Sequence, residues 1–167
     1  MGFLPDPLHP ALVHFPIALT LVALLFEFLA RHPRARALEG AGGVLMVLAA
    51  LGSVAAVLSG DAAHDDAVVP PAAAALIARH EQVGELAMWL LLALAAVRVL
   101  LGWRGWYKGV VPWAYLLFAA AAAGLVGYNG YLGGKMVFDH GVGTAPVQRQ
   151  APVKGELALP PRGAAPG

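Results

Sequence analysis

The sequence contains no cysteine. Disulfides, iron–sulfur ligation, thiolate metal sites and covalent attachment of c-type haem through this chain are therefore excluded. Charge is scarce as well. Only 13% of the 167 residues are Asp, Glu, Lys or Arg, against roughly 25% in a soluble domain. With 59% hydrophobic residues, there is too little charge to coat a globule, whereas a bilayer accepts an apolar exterior. The formal net charge is +1 and no basic stripe is visible, so no nucleic-acid partner is expected. No hydrolase triad, phosphate loop or pair of catalytic carboxylates can be picked out, and the glycines lie in apolar runs rather than between a strand and a helix. A stand-alone enzyme of the soluble type is not expected.

What is present is four long apolar runs, about 8–30, 38–58, 79–101 and 111–138. Each is long enough to cross a hydrocarbon core of roughly 30 Å at 1.5 Å per residue. The expected fold is all-α: an up-and-down four-helix membrane bundle over 1–143, followed by a Pro/Ala/Gly-rich tail over 144–167. The tail reads either as disordered or as an extended strap along a partner. No removable signal peptide is expected, since the first run has no basic leader and ends in Arg31-His32-Pro33-Arg34.

The connections differ in character. Residues 31–37 form a short turn with Arg31, Arg34 and Arg36, and 102–109 form another with Arg104, Lys108, Trp103, Trp106 and Tyr107. Between them, 59–76 reads as a longer acidic loop with Asp61, Asp65 and Asp66. The two turns and Arg98 hold six of the eleven Lys and Arg residues. The positive-inside rule places these turns in the cytoplasm and both termini outside, in the periplasm of a Gram-negative inner membrane. Small residues, Gly124, Gly127, Gly130 and Gly134 in the last run and Gly52, Ala56 and Gly60 in the second, predict close helix packing.

This topology gathers His9, His14, His64, His80 and His140 at the outer face and leaves His32 inside. An ionisable group such as His14, one to two turns into a span, is costly unless it faces the bundle and finds a partner. Three readings stay open. A b-type haem needs two neutral imidazoles from different helices. His14 and His80, on alternate helices, suit that, with His140 paired with His64 or His9 or touching a propionate. A copper or zinc site needs three or four imidazoles. In the third reading the histidines simply hydrogen-bond and pack helix ends. Glu27 and Glu85 are proton-relay or quinone-site carboxylates, or structural partners, with Glu27 expected to pair with Arg98. Tyr128, Asn129 and Tyr131 form a polar patch that either contacts a quinone or haem substituent or joins helices.

Two stretches carry a resemblance. His9-Pro10-Ala11-Leu12-Val13-His14-Phe15-Pro16-Ile17 and Gly133-Gly134-Lys135-Met136-Val137-Phe138-Asp139-His140-Gly141-Val142-Gly143 resemble the opening and closing signatures of a bacterial four-helix membrane family, domain of unknown function 2231. His80 falls where that family tends to open its third helix with a histidine. Lys135 departs from the usual apolar or acidic residue. The resemblance covers about 5–143 and matches His9, His14, His80 and His140, while His64 rests on topology alone. Family members resemble membrane partners of redox modules, some fused or adjacent to Rieske-type or c-type cytochrome domains. The resemblance thus implies a haem b subunit passing electrons between a quinone pool and an extracytoplasmic redox partner. The alternatives are an accessory subunit of a larger membrane complex or a histidine-ligated metal-binding protein.

Overall fold

The computed structural model describes residues 8–66 and 69–144, with only the backbone described at 64–66. The Pro/Ala/Gly-rich tail from 145 onward and the side chain of His64 lie outside the described residues. Among these, every regular element is helical: α1 (His9–Leu12), α2 (His14–Leu29), α3 (Leu38–Asp66), α4 (Ala74–Trp103) and α5 (Val111–His140), with single 3₁₀ turns at Pro33–Ala35 and Pro71–Ala73. Four helical stretches, His9–Leu29, Leu38–Ala63, Pro71–Trp103 and Val111–His140, are long and apolar enough to span a membrane.

The first apolar run is broken at Val13, which separates α1 from α2. Pro16 explains the break: it has no N–H to give the Leu12 carbonyl, and its ring crowds that carbonyl. Pro10 sits at the start of α1 and Pro112 at the start of α5, where the missing N–H costs nothing. α5 stops at Gly141, whose φ of +66° lets its N–H and that of Val142 bond back to the Val137 and Met136 carbonyls.

The acidic loop expected over 59–76 is much shorter. α3 runs on to Asp66 and α4 is entered through the 3₁₀ turn at Pro71–Ala73. The apolar run ends near Leu58, but no proline follows until Pro70, and Gly60 lies in a tertiary contact described below. Packing overrides the local signal.

The helices form a closed ring. α2 packs on α3, α3 on α4, α4 on α5, and α5 returns to α2, so α2 and α4 face each other across a diagonal, as do α3 and α5. The interior is built from small side chains, Ala23, Ala49, Ala50, Ala87, Ala95, Ala119 and Ala122, around Met46 and Leu91. The exterior carries Phe15, Leu48, Leu51, Leu86, Trp89, Leu117 and Phe118. Large apolar groups outside and small ones inside are what lipid allows, because close backbone approach and dispersion must hold the helices together there. At 30 residues each, α4 and α5 are about 45 Å long. They overreach the roughly 30 Å hydrocarbon core, so their ends stand in the interfaces. This is an integral membrane protein embedded in the bilayer.

Candidate functional site

At the end of the bundle formed by the start of α1 and α4 and the end of α3 and α5, two imidazoles meet. His9 and His80 have ring centres 6.3 Å apart with planes at 89°. Each is held the same way. His9 Nδ1 lies 2.8 Å from the Ala56 carbonyl of α3 and 3.2 Å from Ser59 Oγ. His80 Nδ1 lies 3.1 Å from the Asn129 carbonyl of α5. A carbonyl only accepts, so each Nδ1 carries a proton, and in the neutral form of such a ring the lone pair lies on Nε2.

The residue four positions beyond each accepting carbonyl is a glycine. In a helix, the Cβ at that position overhangs the carbonyl. Gly60 follows Ala56, and a Cβ there would come within 3.0 Å of His9 Cε1; Gly133 follows Asn129, and a Cβ there would come within 3.3 Å of His80 Cε1. The two glycines open two helical carbonyls to side chains from neighbouring helices. Gly84, one turn beyond His80, does similar work for α5: a Cβ there would meet Asn129 Nδ2 at 3.0 Å. Asn129 Oδ1 is buried with no hydrogen-bond partner among the described residues.

Among the described residues, no hydrogen bond or ring contact joins His14 or His140 to this pair. His14 is exposed on α2, and His140, the last residue of α5, is half-exposed two turns beyond Gly133. Of the expected site residues, the structure brings His9 and His80 together and sets His14 on the exposed side of α2. Pro16 is the physical reason. It turns buried towards α3, where its ring meets Gly52, and the helix period then carries His14 outward. Glu85 is exposed on α4, and Tyr128 and Tyr131 are exposed and stacked 6.4 Å apart. Lys135 pairs with Asp139 at 3.1 Å, an i,i+4 surface pair worth a few tenths of a kcal/mol at most.

Two imidazoles from different helices are a donor set for one metal ion. An ion about 2 Å from each ring nitrogen sets two ring centres at most roughly 6.4 Å apart, and the 6.3 Å found lies just inside that limit. No group of three or more His, Asp or Glu side chains suited to a metal occurs among the described residues. A zinc or copper site wants three or four protein donors; a haem iron, with four nitrogens from its own macrocycle, wants two. The pair supplies two imidazole donors.

The opposite end holds a second polar cluster. Glu27 of α2 is fully buried, and Arg98 of α4 donates from Nε to its Oε1 at 2.6 Å. The Tyr107 hydroxyl, from the α4–α5 turn, donates to Oε2 at 2.7 Å. Arg31 stands 3.6 Å from the same oxygen and donates to Glu39 Oε2 at 3.0 Å, while Arg98 Nη2 also donates to the Glu39 carbonyl at 2.8 Å. The Arg98 guanidinium lies over the Tyr107 ring, 3.7 Å from its centre. Two carboxylates and two guanidiniums cancel, so nothing net is buried. Burial pushes the Tyr107 phenol far above its ordinary range, and its hydrogen bond to the Glu27 carboxylate adds to that. The Glu27–Arg98 pair is the one expected from the sequence. Tyr107, read there only as an interface aromatic, is its third member.

The family described as predicted membrane protein (DUF2231) matches residues 5–146. No curated protein and no solved structure matches the chain.

Proposed function

The chain belongs to the DUF2231 family of predicted membrane proteins, and we propose that it is a haem-binding, electron-transferring subunit in which His9 and His80 would hold the haem iron. The observation that carries this reading is the pair itself: two imidazoles, each fixed through Nδ1 to a helical carbonyl, an arrangement that in the neutral ring leaves Nε2 as the donor. A backbone acceptor behind a ligating histidine sets its tautomer and raises its basicity. Haem bound there would supply a one-electron couple; the chain's part is to hold two rings on separate helices and surround them with lipid-facing apolar helices. With the basic turns in the cytoplasm, the pair faces the outer side of a bacterial inner membrane. Electrons would pass between a membrane quinone and an extracytoplasmic redox protein of the Rieske or c-type cytochrome class.

The test is a visible spectrum of the purified protein, oxidised and dithionite-reduced, with a pyridine haemochrome assay. A Soret band that sharpens on reduction is expected. A protein purified from haem-sufficient cells without that band ends the proposal.

A second reading is a non-catalytic accessory subunit of a larger membrane complex. It is favoured by the shallow apolar groove between α3 and α4, lined by Val47, Leu51, Ala96, Val99 and Trp103, into which a partner helix would fit. A stable monomer in mild detergent that co-purifies with no other protein would remove it.

A further inference from the structure

A cavity of about 410 Å³ opens between the two short turns at the basic end, on the α2–α5 side of the bundle. It is lined by Arg31 and Arg36 from the α2–α3 turn, Glu39 from the start of α3, Tyr107 and Lys108 from the α4–α5 turn, and Trp113 from the start of α5. Three cations and one carboxylate leave a net charge of about +2. Arg31 is committed to Glu39 and Glu27. Arg36 and Lys108 are exposed, and among the described residues no hydrogen bond or ion pair engages either side chain.

The positions around the cavity add to the same sign. α5 begins here with no acidic residue in its first turn and no side chain capping it, so the positive end of its dipole is uncompensated. Gly109, at φ +63°, turns the chain between Lys108 and α5, a conformation glycine adopts without strain.

We propose that this cavity seats the headgroup phosphate of an anionic phospholipid, with Arg36 and Lys108 as its principal contacts. Three features favour a lipid over a free anion. The cavity lies at the membrane interface, marked by the exposed indoles of Trp103, Trp106 and Trp113. Trp113 and Leu117, one turn apart, are both exposed and continue from the cavity mouth down the lipid-facing side of α5, where an acyl chain would run. Basic pockets between transmembrane helices on the cytoplasmic side suit anionic headgroups, whose leaflet attracts each Lys or Arg. The headgroup would tie the α2–α3 turn to the α4–α5 turn from outside, as the Glu27 cluster does from inside.

The experiment is native mass spectrometry of the full chain in detergent, titrated separately with phosphatidylglycerol and with phosphatidylcholine. A parallel arm adds inorganic phosphate as competitor. Expected are preferential retention of phosphatidylglycerol and about tenfold or more weaker binding in the Arg36→Gln/Lys108→Gln variant. Lys108→Arg should keep the wild-type preference. Both changed residues are exposed, and a matching thermal unfolding curve for the double variant shows that it folds. Equal binding of the two lipids, an unchanged preference in the double variant, or full displacement by millimolar phosphate would each overturn the proposal.

Discussion

Arg98 on α4 reaches across the diagonal of the bundle to Glu27 on α2, with 2.6 Å between Nε and Oε1. α2 and α4 are not neighbours in the ring of packed helices, so this contact is a brace that adjacent-helix packing does not supply. It is completed by the Tyr107 hydroxyl, Arg31 and Glu39, and the two carboxylates and two guanidiniums make the whole cluster electrically neutral.

Removing one member leaves charge buried without a partner. Glu27→Leu is expected to destabilise by about 3–5 kcal/mol, because the buried Arg98 then loses its carboxylate, while Arg31 keeps Glu39. The double replacement Glu27→Leu/Arg98→Leu should cost less than the sum of the two single changes. Thermal unfolding in a mild detergent, run as a double-mutant cycle, measures the coupling. Additive effects would show that the pair is not a brace.

The glycines beside this cluster give a paired test. A Cβ at Gly42 would stand 2.9 Å from Glu27 Cγ, in a side chain fixed at its far end by three partners. Gly42→Ala should cost about 1–3 kcal/mol by overpacking. Gly40, two residues earlier in the same helix, is open: a Cβ there would meet nothing within 4 Å. Gly40→Ala should therefore be neutral or stabilise by up to about 1 kcal/mol through helix propensity. Unfolding midpoints of the two variants should move in opposite directions or by clearly unequal amounts.

Tyr107 predicts an alkaline limit. Its folded phenol titrates far above the ordinary value of 10.0, through burial and its bond to Glu27. Its stabilising contribution is complete below about pH 10 and declines as pH rises further, since the unfolded phenol then ionises while the folded one does not. Wild type and Tyr107→Phe should therefore release the same number of phenolic protons up to about pH 11, read as tyrosinate absorbance. An extra tyrosinate in folded wild type in that range would contradict the hydrogen bond.

Sequence reasoning reached the four spans because composition and run length are strong signals in a bilayer. It reached the Glu27–Arg98 pair because two charges at one depth in apolar helices have few alternatives. Tyr107 was not legible: its spacing places it in a turn beside two tryptophans, and only the fold tucks its ring under Arg98. The histidine end was legible as a zone and not as a pairing. Helix periodicity alone could not assign His14 outward and His9 inward, because Pro16 interrupts the helix between them. The usable signal was in the partners, Gly60 and Gly133, each four residues beyond a carbonyl that accepts from an imidazole. Gly60, read as a packing residue, and Gly133, read only as part of the closing motif, make room for rings.

That arrangement separates His9 and His80 from the other histidines. If the pair holds an iron, His9→Ala and His80→Ala should each abolish the Soret band, while His14→Ala and His140→Ala should retain it. Gly60→Ala and Gly133→Ala should lower haem content or shift the spectrum, Gly60→Ala more, since its added Cβ would crowd His9 at 3.0 Å against 3.3 Å for Gly133 and His80. The pair can also be read without any cofactor. Nitrogen-15 spectra of histidine-labelled protein at neutral pH should show two rings protonated at Nδ1 and bare at Nε2, and these two signals should vanish one at a time in His9→Ala and His80→Ala. Rings with the opposite tautomer would mean that the carbonyls of Ala56 and Asn129 do not hold them, and the ligand assignment would fall with that, because the free nitrogens would then point at the backbone instead of at a metal.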